Sequence, residues 1–363
     1  MKALYVLGLA CIMLSLGSCK KDTESSSSSV VYDNTPYALQ IGNLSAPTIA
    51  PDNPLTIQGV KLGRMLFYED KLSADGSLNC ASCHRQQHAF SDSNRFSIGV
   101  KGLPGGRQAM AVFNLAWNQN QFFWDGRANL LRDQSLMPIQ DHLEMNETLE
   151  NVVAKLSADQ TYKDQFIRSF GTNEITSQRI SLALEQFMNS IVSYNSKYDQ
   201  YLRGEVALTP SEERGRKLYF AEYNPFFPDQ SGADCAHCHS PSNFENNQYM
   251  NNGLYAEAQI TDIGRQKVTN NPMDKGKMRV PSLRNIAVTG PYMHDGVFNT
   301  LEEVVEHYNS GIQSSSTLDP ALQNTQSTGL MLDAQDKADL VAFLKTLTDQ
   351  DLLSDPAYSD PFK

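Results

Sequence analysis

The chain carries two short stretches of one pattern, CASCH at residues 80–84 and CAHCH at residues 235–239. Both read C-x-x-C-H, in which two thiols stand about one helical turn apart and a histidine follows directly. Two thiols at this spacing can bond the two vinyl groups of one haem, and the histidine is then placed to ligate its iron. The sequence therefore predicts two covalently attached c-type haems. The predicted attachment residues are Cys80, Cys83, His84, Cys235, Cys238 and His239, with the two histidines as iron ligands.

A zinc site and a redox-active thiol pair are the alternatives for a C-x-x-C stretch. A zinc finger of the Cys2His2 type needs a second histidine about three to five residues after the first. His88 follows His84 by four residues, but no histidine follows His239 at that spacing. Because both stretches keep the same five-residue pattern, we expect haem at both rather than zinc or a disulfide.

Composition limits the class of protein and its partners. The chain has 363 residues, of which 40% are hydrophobic and 20% charged, as in a globular protein of two ordinary domains. Its formal net charge of −11 disfavours nucleic acid as a partner. An acidic surface can attract a basic electron-transfer protein, although a merely solvated acidic surface explains the charge as well.

The first 40 residues are predicted to precede the folded domains. Residues 1–18 have the pattern of a lipoprotein signal peptide, because Lys2 precedes an apolar run and Cys19 closes a lipobox. Lipid on Cys19 would anchor the protein in the cell envelope, in the periplasm and at the outer membrane. An uncleaved anchor is disfavoured, since the apolar run is short for a membrane span. Residues 19–40 are predicted to form a flexible Ser-rich tether.

Helical patterns surround both C-x-x-C-H stretches. They predict an all-α fold with two cytochrome c-like domains, each carrying one covalently attached c-type haem, over residues 41–204 and 205–352. The pattern GRMLFY at residues 63–68 recurs as GRKLYF at residues 215–220, so a helix followed by a haem motif forms an internal repeat. The glycines that open these two stretches would let another helix cross closely.

Capping residues indicate where the helices begin. The helix that starts near Ile57 is predicted to end near Gly76, and the long helix after the first N-cap is predicted to end before Gly204. Residues 240–281 are predicted to be loop. The predicted N-caps are Thr176, Thr209, Thr300 and Asp333.

Three further stretches resemble the bacterial di-haem cytochrome c peroxidases, including the MauG-like branch. They are QFFWDGR at residues 121–127, the pair Gln134 and Glu144, and VPSLRN at residues 280–285 followed by PYMHDG at residues 291–296. The resemblance implies an oxidoreductase that reduces hydrogen peroxide to water. Its electrons would come from a small c-type cytochrome or a similar donor.

The resemblance also implies a division of roles between the two haems. The haem at His84 would be the peroxidatic one, with Gln134 and Glu144 in its distal pocket. Glu144 would transfer a proton between the two peroxide oxygens, and Gln134 would hold the bound peroxide by hydrogen bonds. Trp124 would lie between the haems and help electrons pass. A surface carboxylate is the alternative for Glu144, and core packing is the alternative for Trp124.

One departure from the family pattern concerns the peroxidatic haem. Many members carry a histidine in a Ser-x-Gly-His stretch, which caps that iron until the other haem is reduced. Here the stretch is SIGV at residues 97–100, and Val100 cannot ligate iron. We therefore expect an open, five-coordinate haem in the oxidised protein, with no need for reductive activation. His88 is the alternative cap, which its nearness to His84 disfavours.

The sixth ligand of the second haem is predicted to be Tyr308. The classical peroxidases supply a methionine at this position and the MauG-like branch supplies a tyrosine. A phenolate lowers the reduction potential of the iron, whereas a methionine raises it. Met293, Met331 and His307 are the rival ligands.

A calcium ion between the domains is a further implication of the resemblance. Gln108 stands where the family has an asparagine ligand, and Thr289 and Pro291 would supply backbone carbonyls.

Two other functions fit the sequence. A MauG-like enzyme would oxidise residues of a partner protein through high-valent iron, whereas a non-catalytic electron carrier would have both irons capped. A homodimer is also an open expectation.

Overall fold

The chain is described by a computed structural model that covers Met1 and residues 30–363. The predicted signal peptide beyond Met1, Cys19 and most of the tether lie outside the described residues. Residues Val31–Lys363 form one compact unit. No helix in the described part of the chain has the length and apolarity needed to cross a membrane.

Helices make up nearly all of the regular structure. A π-helical turn, His307–Gly311, directly follows the tenth helix. The α-helices are α1 (Ile57–Phe67), α2 (Cys80–Cys83), α3 (Leu131–Gln140), α4 (Leu149–Ser157), α5 (Gln160–Phe170), α6 (Ser177–Ser190), α7 (Lys197–Leu202), α8 (Pro210–Phe220), α9 (Gln266–Thr269), α10 (Leu301–Glu306), α11 (Pro320–Thr328) and α12 (Ala334–Lys345).

The mainly helical fold agrees with the prediction, and a small sheet is added to it, which corrects the prediction of a loop over residues 240–281. Strand β1 (Tyr249–Met250) pairs with β2 (Met278–Arg279) in antiparallel fashion, with Tyr249 opposite Arg279. Helix α9 lies between them along the chain. Strands of two residues carry no alternating pattern, so the sequence contains no periodic signal for them.

The predicted helix starts are confirmed. Each of the four predicted N-cap side chains accepts a hydrogen bond from a backbone N–H in the first turn of its helix. Such a bond satisfies one of the donors that every helix start leaves free. Because these signals are local, they can be recognised in the sequence.

Two predicted helix ends are wrong. Helix α1 ends at Phe67 rather than near Gly76, because the Glu69 side chain caps a separate 3-10 turn directly afterwards. Helix α6 ends at Ser190, because the next backbone donors are bound by distant side chains. Asn114 accepts from the N–H of Ser193 at 2.8 Å, and Asp349 accepts from the N–H groups of the two following residues.

Two helix crossings confirm the predicted role of the repeated glycines. At Gly63 in α1, an added Cβ would lie 1.9 Å from the Ala183 carbonyl oxygen of α6. At Gly215 in α8, it would lie 1.9 Å from the Asp339 carbonyl oxygen of α12. The two halves of the chain therefore use the same device, in which a glycine lets one helix backbone touch another.

Two large hydrophobic cores lie within the compact unit, one around each helix crossing, and a smaller third cluster contains Leu44, Ala116, Trp117 and Val192. Phe67 and Phe187 pack in the first core, and Tyr219 and Phe343 pack in the second. The domain boundaries stay predictions, and the chain passes between the cores more than once. Tyr198 of α7 packs in the second core, whereas Leu352 and Tyr358 near the C-terminus pack in the first.

Replacing Gly63 by alanine is predicted to destabilise the protein by about 1–3 kcal/mol, because α1 must move away from α6 to admit the methyl group. Chemical denaturation followed by circular dichroism measures the change. Gly106→Ala is the matched control, since nothing lies within 4 Å of the added Cβ. It should shift the free energy of unfolding by less than about 0.5 kcal/mol. Equal stabilities of the two variants would contradict the crossing argument.

Candidate functional site

The first C-x-x-C-H stretch is held by a reciprocal cap. Helix α2 begins at Asn79, whose side-chain oxygen accepts from the Ser82 N–H at 3.1 Å, while the Ser82 hydroxyl oxygen accepts from the Asn79 N–H at 3.0 Å. The His84 ring follows, with Nδ1 3.0 Å from the Phe90 carbonyl oxygen. If Nδ1 donates there, Nε2 keeps a lone pair for a metal. Burial also lowers the pKa of His84, which favours the neutral ligand form.

The second stretch repeats this arrangement. Nδ1 of His239 lies 3.2 Å from the Phe244 carbonyl oxygen and 3.1 Å from the Pro281 carbonyl oxygen. Burial lowers the pKa of His239 to about 4, so the ring is neutral at physiological pH. Phe90 and Phe244 both adopt positive φ, 59° and 56°, and both side chains are fully buried.

The four cysteines of these stretches are free thiols. Burial raises the pKa of Cys80, Cys235 and Cys238 to about 12 and also raises that of Cys83. No group of three or more His, Cys, Asp or Glu side chains in the described chain is arranged to hold a metal ion. Uncharged thiol pairs beside a neutral histidine fit covalent haem at both places.

One cavity connects the second stretch to residues from the first half of the chain. Cys235, Cys238 and His239 line one part of it, and Trp124 and Gln108 line another. Arg279 and Glu245 also line it, and the guanidinium is paired with the carboxylate. A large cavity with an arginine in its wall fits an organic group that carries carboxylates, as haem does.

The loop at residues 97–100 lies against the segment that carries Glu144. The Val100 N–H donates to the Glu144 carbonyl oxygen at 2.9 Å. An added Cβ at Gly99 would lie 2.0 Å from the Leu143 carbonyl oxygen, so the contact requires glycine. The Ser97 hydroxyl donates to the Asp92 carboxylate at 2.7 Å and lies near Cys83, where it opposes the rise in the pKa of that thiol. This loop therefore places the non-ligating Val100 beside Glu144 and close to the first thiol pair.

The Glu144 carboxyl group is half-buried, and it forms no hydrogen bond with another described residue. Burial raises its pKa to about 7, nearby Asp141 raises it further, and Arg127 opposes the shift. The Glu144 charge in turn raises the pKa of both Cys80 and Cys83. Glu144 therefore lies near the first thiol pair in a form that can take up or release a proton at neutral pH.

Gln134 lies on α3 and is also half-buried. Its amide forms no hydrogen bond within the described part of the chain, so both of its polar atoms are free for a ligand. No contact in the structure joins this amide to Glu144 or His84, and its place in a distal pocket stays a prediction.

Trp124 occupies a fixed position in the cavity that contains the second stretch. Its indole N–H donates to the Gln108 carbonyl oxygen at 2.9 Å, and its own carbonyl oxygen accepts from the Arg279 N–H at 2.7 Å. Met110, two residues after Gln108, lies in the wall of the same cavity, and its backbone is close enough to His84 to oppose the lowering of the pKa of that ring. The Trp124 ring thus stands in the cavity of the second stretch and is hydrogen-bonded to a segment that approaches the first histidine.

Two of the candidate sixth ligands of the second haem lie in its cavity, and two do not. Tyr308 and Met293 line the cavity with His239, and the Asn252 amide lies 3.3 Å from both the Tyr308 hydroxyl and the Met293 sulfur. Met331 is 43% exposed and is absent from the cavity wall. The ring of His307 instead contacts the Asn252 carbonyl oxygen at 3.2 Å and borders a neighbouring cleft.

Two residues of this site were not predicted from the sequence. Asn252 lies in the Asn-rich region that was predicted to be loop, and Arg279 lies in a strand of two residues. Neither belongs to a motif or a periodic pattern. Only their long-range contacts reveal them, and a single sequence carries no signal for such contacts.

Gln108 is buried, and its side-chain NH2 group donates to Ser91 and to the Asp92 carbonyl oxygen. Its side-chain oxygen accepts no hydrogen bond from another described residue. Thr289 and Pro291 line the same cavity as Gln108. The three predicted calcium ligands therefore share one cavity wall.

Comparison with known proteins bears on this arrangement. The model of the di-haem cytochrome c peroxidase family matches residues 57–207. The methylamine utilization protein MauG of Methylophilus methylotrophus is 33% identical over 298 residues, which are 81% of this chain and 84% of that protein. Cytochrome c551 peroxidase of Nitrosomonas europaea is 34% identical over 291 residues, which are 79% of each chain.

Solved structures show the same fold. A MauG-like protein associated with microbial copper homeostasis is 33% identical, with a TM-score of 0.82, over 90% of this chain and all of that one. The di-haem peroxidase BthA of Burkholderia thailandensis is 22% identical, with a TM-score of 0.70, over 91% of this chain and 98% of that one.

Two partly buried C-x-x-C-H stretches within a helical fold fit a di-haem protein of the c type. The chain belongs to the di-haem cytochrome c peroxidase family, which includes MauG-like members. The predicted family is confirmed, and membership implies two haems c.

Proposed function

We propose that this protein reduces hydrogen peroxide to water with electrons from a small c-type cytochrome or a similar donor. Each peroxide takes up two electrons and two protons and yields two waters. The observation that carries the proposal is the unpartnered Glu144 carboxyl group, which lies near the first thiol pair beside the non-ligating Val100.

The chain would supply the proton chemistry of this reaction. Haem held by His84 would bind the peroxide and deliver electrons to it. The Glu144 carboxylate would accept a proton from the nearer peroxide oxygen and return it to the farther one, which then leaves as water. The Gln134 amide would hold the peroxide by a hydrogen bond.

Electrons would enter near His239 and pass Trp124 on their way to His84. The hydrogen bonds of Trp124 to Gln108 and Arg279 support this route, because they fix the ring beside the second stretch. The acidic charge of the chain, −11, would favour a basic donor.

Glu144 is predicted to give the reaction a pH dependence. With a pKa of about 7, the carboxylate form increases as the pH rises, so kcat/KM should rise through neutral pH and fall as the carboxyl is protonated. Glu144→Gln should lower kcat by roughly 10²–10⁴-fold and remove this rise. Steady-state peroxide assays across pH measure both effects.

The control for this prediction is Glu150→Gln, which removes an exposed carboxylate six residues away in sequence. It should leave the profile unchanged. A wild-type profile in Glu144→Gln would remove Glu144 from the mechanism.

The oxidised protein is predicted to react with peroxide without prior reduction, because Val100 cannot cap the first iron. Val100→His should lower the activity of the oxidised protein by about tenfold or more, since only the uncapped fraction binds peroxide. One-electron reduction before the assay should restore it. Val100→Leu is the control and should behave as wild type. Two low-spin, six-coordinate haems in the EPR spectrum of the oxidised wild type would contradict the open site.

We propose Tyr308 as the sixth ligand of the second haem, with Met293 as its rival in the same cavity. The π turn that contains Tyr308 supports the choice, because such turns are frequent at functional sites. Tyr308→Phe should change the visible and EPR spectra of this haem and raise its potential, since a phenolate stabilises the ferric state. Met331→Leu is the control and should change neither. Unaltered spectra in Tyr308→Phe would point to Met293.

We also propose a calcium ion held by the Gln108 side-chain oxygen and the backbone carbonyls of Thr289 and Pro291. The free oxygen of Gln108 supports this site, because calcium prefers oxygen ligands. Elemental analysis of the purified protein tests it.

Oxidation of a partner protein is the second candidate function, favoured by the 33% identity to MauG. Steady peroxide turnover with reduced cytochrome c supports the peroxidase. Slow turnover together with oxidation of a cognate protein supports the MauG-like activity. A protein whose oxidised spectrum responds to neither peroxide nor cyanide would be an electron carrier.

A further inference from the structure

The Asn252 side chain joins two of the side chains that compete for the second iron. Its amide nitrogen lies 3.3 Å from the Tyr308 hydroxyl oxygen and 3.3 Å from the Met293 sulfur. All three residues line the cavity that contains His239. Because an amide nitrogen carries two hydrogens, one N–H is available for each of these partners.

The orientation of this amide follows from its other contacts. The Asn252 side-chain oxygen accepts from the Leu254 N–H at 3.3 Å, so the NH2 group is the end that faces Tyr308 and Met293. The Asn252 backbone carbonyl oxygen lies 3.2 Å from Nε2 of His307. The backbone of Asn252 therefore contacts one residue of the π turn, and its side chain contacts the next.

Neighbouring residues hold the backbone of Asn252 in place. The Asn251 side-chain NH2 group donates to the Thr317 hydroxyl at 2.9 Å. Gly253 has a φ of +69°, and an added Cβ there would lie 2.6 Å from the Ile312 side chain. The Asn252 donor is therefore presented by a backbone that is fixed on both sides.

We propose that Asn252 is a positioning residue for the second haem. One N–H holds the Tyr308 oxygen as sixth ligand and raises the reduction potential of that haem, while the other occupies the Met293 sulfur. A phenolate oxygen has lone pairs for both a metal and an amide donor. When it accepts a hydrogen bond it gives less charge to the iron, so it stabilises the ferric state less than an unassisted phenolate does.

The inference rests on Tyr308 as the sixth ligand of the second haem, which is part of the proposed function. It does not rest on peroxide reduction, because potentials and spectra are measured without turnover. A substitution of the Asn252 side chain keeps the backbone contact with His307, so the two contributions can be tested apart.

The test uses the holoprotein and follows the second haem in a spectroelectrochemical titration. Asn252→Leu removes the donor and keeps a side chain of similar shape. It should shift the one-electron equilibrium tenfold toward the ferric form, which lowers the midpoint potential by about 59 mV. In a Tyr308→Phe background the same substitution should leave the potential unchanged, because the partner of the donor is gone. A shift that persists in that background would overturn the proposal.

Resonance Raman spectra provide the second readout, since the tyrosinate bands of an iron–phenolate bond report hydrogen bonds to the phenolate oxygen. Asn252→Leu should shift these bands, and Met293→Leu should leave the sixth ligand in place. Asn252→Asp keeps the oxygen that accepts from Leu254 and loses the donor, so it serves if Asn252→Leu does not fold. Unshifted bands in Asn252→Leu, or in Asn252→Asp where that variant replaces it, would overturn the proposal. Loss of the sixth ligand in Met293→Leu would overturn it as well.

Asn246→Leu is the matched control. The Asn246 side-chain oxygen accepts from the Gln248 N–H at 3.0 Å, and its amide nitrogen lies 3.6 Å from the Met250 sulfur. Asn246 therefore repeats the turn and the methionine contact of Asn252 without a contact to Tyr308. The control should change neither the potential nor the Raman bands.

A haem assay on every variant keeps the outcomes distinguishable. Wild-type protein with no haem on Cys235 and Cys238 would refute haem attachment, and with it both proposals. Unaltered spectra in Tyr308→Phe would refute the ligand and this inference together. Two haems with no peroxide turnover would refute the proposed peroxidase reaction alone.

Discussion

The hydrogen bond between a histidine ring and the carbonyl of a buried phenylalanine occurs once in each half of this chain. His84 pairs with Phe90 and His239 pairs with Phe244. Both phenylalanines have positive φ, which is costly for a bulky residue. Their rings pack against Phe67 and Tyr219 in the two cores. The cores therefore maintain an unfavourable backbone conformation, and that conformation directs each carbonyl at the histidine that is predicted to ligate iron.

The two halves differ in what surrounds these matching histidines. Near the first, a half-buried carboxyl group with a raised pKa has no partner in the protein. Near the second, Tyr308 and Met293 share the amide of Asn252. A free proton carrier suits a site where bonds are broken, whereas a pair of potential ligands suits a site that only passes electrons. The duplication of the fold thus supports two different tasks.

The sequence predicted those features that depend on neighbours along the chain. The haem motifs, the N-caps and the glycines at helix crossings are local signals, and the caps and crossings are present as expected. Helix ends were predicted less well, because Asn114 and Asp349 bind the backbone after α6 from far away in the sequence. The proposed role of Glu144 came from resemblance to a family, since one carboxylate in a sequence has no distinctive pattern. The place of Arg279 in the cavity wall was not predicted, for the same reason.

The segment between the two stretches explains why the chain forms one compact unit. Gln108 donates its backbone N–H to the His294 carbonyl oxygen and accepts from Trp124 through its own carbonyl oxygen. Arg279 in turn donates to the Trp124 carbonyl oxygen. Three segments of the chain therefore meet at one tryptophan, through its indole N–H and its backbone carbonyl. If the two halves were joined only by a linker, the distance between their haems would vary, and so would the rate of electron transfer. The hydrogen bonds of the Trp124 indole N–H and of its backbone carbonyl limit that variation, as the proposed electron transfer between the haems requires.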